Sequence, residues 1–218
     1  MTLFAPATAS DRELATAFVG RVAQLDAAAL VRLISRGKAV DLWARGGFGV
    51  VATRSVSGRV EPDPLTVYAT NLVAALAVSR AVEVDAGSDA PDEWHTQLPP
   101  ADGWTDVGLL AVTDIMREVR AAKLVAEQAV EIDRENELRA KTKATVPPVV
   151  LDQCLMTVET ANGRIPISMR MLFALSGMSF VDQTGGSDIR VRVTNTWLRL
   201  DSPEGAVARR RMADLPLV

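Results

Sequence analysis

The sequence predicts an α+β protein: an antiparallel sheet with flanking helices (αβββαββα), followed by a smaller C-terminal α+β subdomain. Three observations predict it. Short β-forming runs succeed one another across glycine-containing turns, helical periodicity occurs in isolated segments rather than after every strand, and 48% hydrophobic residues in 218 are ample for a buried core.

The first expected element is a helix from about residue 11 to 25. Ser10 with Glu13 three residues on has the capping-box spacing, and Leu14, Phe18 and Val22 recur at helical intervals. Three β-rich runs come next: LVRLISR to Arg36, AVDLWAR from Ala39 and FGVVATRSV from Phe48. Gly37-Lys38 and Gly46-Gly47 separate them, the pattern of a three-stranded meander. Asp63-Pro64 has the form of a helix start, with Asp63 as cap, Pro64 at the first helical position, and Val67, Leu72, Ala75 and Leu76 among the apolar residues. A short strand is expected at Ala81 to Val84. Asp85 to Gly103 is acidic, rich in proline and glycine and without apolar periodicity, and it reads as a long exposed loop. The strand TDVGLLAV then leads to a long helix capped by Thr113, with Ile115, Val119, Ala122, Ala126 and Ala129 on one face. From Ile132 this face gives way to charge, EIDRENELRAKTK, which reads as a solvated helix end or linker. A domain of residues 1–144 and a subdomain of residues 145–218 follow from that change.

The second part is expected to hold a short helix near 148–153, the strand LMTVE, a turn at Asn162-Gly163, the strand IPIS and the helix MRMLFALSGM. It ends in the arginine-rich hairpin IRVRVTNTWLRLDSPEGAVARRR. Ile189, Val191 and Val193 alternate with Arg190, Arg192 and Thr194, so one strand face is apolar and the other basic. Asn195-Thr196 and Ser202 to Gly205 supply the turns. An amphipathic helix before such a hairpin is also the layout of a winged helix, with Arg170 on the recognition helix and Arg209 to Arg211 near a wing. The candidate recognition segment ISMRMLFALSGMSF, however, holds a single charge, whereas recognition helices need several side chains that reach bases or phosphates.

The chain has one histidine, His95, and one cysteine, Cys154, which excludes a His-rich metal centre and an intramolecular disulfide. Asp89, Asp92, Glu93 and His95 cluster without EF-hand spacing, so no metal is assigned. Cys154 lies in VVLDQCLMTV and reads as buried and inert rather than as a nucleophile with His95 as base. Ser35-Arg36-Gly37-Lys38 matches the S-x-x-K pattern of serine acyl enzymes but sits at a strand end, where the spacing does not bring lysine to serine. Gly46-Gly47-Phe48-Gly49 lacks the lysine and hydroxyl of a phosphate loop. No catalytic residue and no cofactor is assigned, and the protein reads as non-enzymatic.

The net charge of -3 is unevenly spread: residues 61–110 carry -8, while residues 1–60 carry +4 and residues 187–218 carry +2. Such a distribution argues against a general nucleic-acid binder. It favours protein partners. In WHTQLPPADGW, Trp94 and Trp104 flank Pro99 and Pro100, which suits a partner-binding loop with aromatic anchors. Arg209, Arg210 and Arg211 suit an acidic protein surface, the Asp85 to Asp106 region of the same chain included. MTLFAPATAS has no secretory-signal pattern, and the longest uncharged run, Pro64 to Ser79, is 16 residues, shorter than the roughly 20 a membrane span needs. A cytoplasmic location is therefore expected.

Taken together, LVRLISRGKAVDLWARGGFGVVATR, WHTQLPPADGW and MRMLFALSGMSF resemble an uncharacterised actinobacterial protein family. The αβββαββα order of residues 11–141 resembles the secretion-chaperone-like fold, which implies a homodimer that binds other proteins. The expected function is a non-enzymatic protein-binding or chaperone-like module. A winged-helix DNA-binding regulator is the alternative and a carboxylate-dependent enzyme the third reading.

Overall fold

The computed structural model describes residues 2–46, 48–79, 81–137, 146–160, 163–181 and 188–211. The chain forms two compact units, Met1–Pro100 with Gly205–Val207 and Ala101–Glu204 with Ala208–Val218. The sequence-based boundary at 144 falls within the second unit, and the last part of the charge run, residues 138–145, lies outside the described residues.

The first unit contains β1 (Leu3–Pro6), α1 (Ala9–Leu25), β2 (Leu30–Arg36), β3 (Ala39–Arg45), β4 (Val51–Glu61), β5 (Leu65–Tyr68), α2 (Ala69–Val78) and β6 (Val84–Asp85). α1 begins earlier than the Ser10 capping box suggests. Thr8 is the N-cap: its hydroxyl accepts from the Asp11 backbone N at 3.1 Å, while the Asp11 carboxylate accepts from Ser57 N at 2.8 Å. The cap is thus shared with β4, a tertiary bond that the local pattern does not contain.

The meander β2-β3-β4 forms as expected, and β5 adds to the outer side of β2, all antiparallel. β5 corrects the reading of a helix at Asp63-Pro64. The Asp63 carboxylate accepts from Ser35 N at 3.0 Å instead of capping a helix, and Leu65 and Val67 pair with Leu33 and Val31. The helix begins only at Ala69. On the sheet face shared by these pairs, Val31, Leu33, Val40, Leu42, Ala44, Ala52, Leu65 and Val67 are fully buried, and Phe18, Val19, Val22, Leu72 and Leu76 supply the buried residues of the helices. Arg12 on α1 holds the end of α2, donating to the carbonyls of Leu76 at 3.3 Å and Ser79 at 3.0 Å.

β4 changes partner along one edge. Residues 51–57 pair with β3, and Gly58 to Glu61 pair with β1, a strand absent from the sequence-based order. The transfer occurs at Gly58, where a Cβ would stand 2.5 Å from the Ala5 carbonyl oxygen. Only glycine permits that approach.

The second unit contains β7 (Thr105–Leu110), α3 (Val112–Glu137), α4 (Pro148–Leu151), β8 (Cys154–Thr160), β9 (Gly163–Ser168), α5 (Met169–Gly177), β10 (Ile189–Val193), β11 (Trp197–Ser202) and the end of β12 (Gly205–Arg210). β7-β10-β11-β12 is the strand order, and β8-β9 is a separate hairpin. Ile115, Val119, Ala122 and Ala126 of α3 are buried, as their spacing predicts. Buried Met169, Met171, Leu172, Ala174 and Leu175 make α5 a core helix, with Ile189, Val191 and Leu200 buried on the sheet.

Gly58→Ala should lower the unfolding free energy by at least about 2 kcal/mol, because the added methyl meets backbone that cannot give way. Gly37→Ala, at a turn with φ +65° and open space around it, should cost only about 1 kcal/mol. Urea unfolding of the two variants side by side checks the contrast.

Candidate protein-binding site

α4 ends at Asp152, and three elements of the second unit converge on its carboxylate. Arg170, from the first turn of α5, donates to both oxygens at 2.9 and 2.8 Å. Arg209, from β12, donates at 2.8 Å. These guanidinium bonds, that of Arg170 first, hold the Asp152 carboxyl below the usual carboxylate range against the opposing effect of its partial burial. Arg170, the one charge of α5, is turned to Asp152, and the rest of the helix is largely core.

Beside this node lies a cavity of about 380 Å³. Ile165 and Pro166 of β9, Met171 of α5 and Leu198 of β11 give it apolar walls, and Arg164, Arg209, Arg210 and Arg211 give it a basic rim against the single carboxylate of Asp152. Cys154 also lines it and is exposed, which corrects the reading of a buried, inert cysteine. Its Sγ donates to the Met156 carbonyl at 3.2 Å. The loop between α4 and β8 places residue 154 at the start of an exposed edge, so apolar sequence neighbours do not bury it.

The partner-binding residues expected from sequence separate into groups. Arg209, Arg210 and Arg211 are together at this cavity. Trp104 is also in the second unit, where the guanidinium carbons of Arg199 and Arg192 lie 5.7 and 6.0 Å from its ring centre. Both arginines bind Asp201, at 2.8 Å from Arg199 and 2.8 and 2.6 Å from Arg192. Trp94, Pro99 and Pro100 belong to the first unit. Trp94 is half-buried beneath Arg32, 5.9 Å from the ring centre, and lines a second cavity of about 460 Å³ with Phe48, Arg45, Asp26 and Glu93. Pro99 is buried and Pro100 exposed.

The acidic segment before them is docked rather than free. Asp89 accepts from Thr66 N at 3.0 Å, Ala90 N donates to the Thr66 carbonyl at 2.8 Å, and the Tyr68 hydroxyl donates to Glu93. Two of the clustered carboxylates, Asp89 and Glu93, are thus engaged with β5. Among the described residues no group of three or more His, Cys, Asp or Glu is placed to hold a metal ion. None of the described helices is long and apolar enough to cross a membrane. Sequence reasoning missed Asp152, Arg164 and the apolar walls, because Asp152 meets its partners across 18 and 57 residues and no local spacing encodes that.

The fold is that of sliding clamps. The chain superposes on the DNA polymerase sliding clamp of Bacillus subtilis with a TM-score of 0.59 at 11% identity, covering 99% of this chain and 66% of that one. It superposes on Caulobacter crescentus pol III beta with a TM-score of 0.58 at 10% identity, and on the DNA polymerase III subunit beta of Pseudomonas aeruginosa with 0.56 at 12%, each over 99% of this chain and 66% of the other. This chain thus spans slightly under two thirds of the length of those clamps. Residues 99–214 match the family described as Domain of unknown function (DUF8185), and the chain belongs to that family. Residues 1–96 match a second family, Domain of unknown function (DUF8010). Comparison with curated proteins gave no match.

The Asp152 node should be visible in pH titration. A carboxyl whose folded pKa is depressed contributes stability that is full above its unfolded value near 4 and is lost as pH falls through the folded value. Asp152→Asn should therefore lose about 1–2 kcal/mol at pH 7, allowing for the partial exposure of the carboxylate. Its unfolding free energy should also fall less steeply than wild type between pH 4 and 2, measured by urea denaturation across that range.

Proposed function

We propose that this protein is a non-enzymatic protein-binding module built on a sliding-clamp fold. The observation that carries the reading is the arginine-rimmed, apolar-walled cavity of the second unit. Its titratable groups are a cysteine, four arginines and one aspartate tied up in ion pairs, a set suited to holding a ligand rather than to proton transfer. The clamp-like neighbours support the fold on which such a surface would be carried, and the acidic balance of the chain favours protein over nucleic acid as the partner.

Cross-linking of the tagged full chain in its native cell should return a reproducible protein partner. Duplex DNA in a gel-shift at low salt, where phosphate contacts are strongest, should not be retarded. Retarded DNA together with no reproducible protein partner would reverse the reading.

Self-association is a second reading, favoured by β7. It is the outermost strand in the order β7-β10-β11-β12, and Leu109 on it is 62% exposed. An outer strand with an exposed apolar residue can accept a strand from a second copy. Sedimentation velocity should then show a dimer that Leu109→Lys converts to monomer; an unchanged distribution would remove β7 as the interface.

A further inference from the structure

We propose that the cavity beside Asp152 binds an acidic segment of a partner protein, with one apolar side chain inserted between Ile165, Pro166, Met171 and Leu198 and its carboxylates on Arg164, Arg210 and Arg211. This inference rests on the protein-binding reading above and names the chemistry of the partner.

Charge complementarity carries the argument. Four arginines line the cavity against one carboxylate, and that carboxylate already accepts three guanidinium N–H bonds, so the field met by an incoming chain is positive. The rim can receive new acceptors without dismantling the core. Arg164 pairs only across the surface with Glu159, at 2.8 Å with both side chains more than two thirds exposed, a pair that exchanges readily with solvent or ligand. Arg211 gives one bond to the Thr194 carbonyl at 3.3 Å, and a guanidinium has five N–H donors.

The apolar walls decide between ligand classes. Phosphate or a nucleic-acid backbone would use the arginines and leave Ile165, Pro166 and Leu198 unused, and among the described residues the cavity lining holds no aromatic ring on which a base could stack. A peptide that carries both carboxylates and an apolar side chain uses both halves of the cavity. Met171 gives the apolar half an unbranched, adaptable wall. Cys154 supplies a built-in reporter, because its exposed thiol shares the cavity and a bound chain would cover it.

The test is fluorescence anisotropy with the full chain and a fluorescein-labelled octapeptide that has a single leucine at its centre and Asp and Glu on both sides. Binding should weaken at least about tenfold when the leucine is replaced by alanine or when the acids are replaced by amides. Arg211→Glu and Arg164→Glu, both at exposed positions, should each weaken it about tenfold, while Arg211→Lys should retain most of the affinity. Saturating peptide should slow iodoacetamide alkylation of Cys154 at least about fivefold.

Binding that is unchanged by both glutamate variants and leaves Cys154 alkylation unchanged overturns the site. Tighter binding of a single-stranded oligonucleotide of equal charge overturns the ligand class. An affinity gain of tenfold or more on removing residues 212–218 would make the chain's own end the occupant and overturn the partner assignment. If the cross-linked cellular partner is kept by the Arg164→Glu, Arg211→Glu double variant while the peptide fails to bind, the protein-binding reading stands and this inference falls. Loss of both the partner and the peptide from wild type would end both.

Discussion

The second unit depends on one interaction, the three charge-assisted hydrogen bonds from Arg170 and Arg209 to Asp152. They join the end of α4, the first turn of α5 and the last strand. Arg170 is nearly buried, with a side chain 12% exposed, and an unpaired guanidinium there would be costly. The bidentate geometry satisfies it, fixes the orientation of α5 and leaves the adjoining apolar residues as walls rather than letting them collapse onto a disordered side chain. The cavity is in this sense a by-product of satisfying a charge.

Pairing with carboxylates also explains why a sequence with so many arginines is not broadly basic on this surface. Arg192 and Arg199 share Asp201 and stack on Trp104, and Arg190 faces Asp106 at 3.8 Å across the β7-β10 pair. Strand alternation places these arginines on the outer face, and acids at matching register positions neutralise them there. Arg164, Arg210 and Arg211 differ in lining a recess, where low-dielectric walls focus a field that a flat surface would lose to solvent.

Much of the fold was legible because local chemistry and tertiary structure agree. Gly37 turns β2 into β3, the a-to-d spacing of Ile115, Val119, Ala122 and Ala126 marks the buried stripe of α3, and Ile189 with Val191 marks the inner face of β10. Reading failed where a residue serves a distant partner. Asp63 has the right identity and neighbour to cap a helix, yet it bonds Ser35 and leaves Leu65 to Tyr68 free to pair with β2. Thr8 outcompetes Ser10 as a cap because Asp11 is anchored by Ser57 on β4.

The acidic segment after β6 shows why the rest could not be read. Its composition is that of a solvated loop, but β3 is buried on both faces: Val40, Leu42 and Ala44 on one, Asp41 and Trp43 on the other. A sheet face that contains Arg32, Asp41, Thr53 and Thr66 looks solvent-exposed in sequence, and polar cover shields it at a small cost: among the described residues Thr53 Oγ1 is buried without a hydrogen-bond partner. The segment supplies that cover. Asp89 and Ala90 bond the backbone of Thr66 along the outer edge of β5, and Trp94 lies under Arg32. The outer edge of β5 is thereby closed by its own chain, whereas β7, the outer strand of the second unit, has β10 as its only strand partner among the described residues. Closing one edge with polar backbone and acidic side chains guards the first unit against unwanted strand pairing. In the second unit the exposed Leu109 and the cavity lined by Arg164, Arg209, Arg210 and Arg211 carry apolar and basic surface instead.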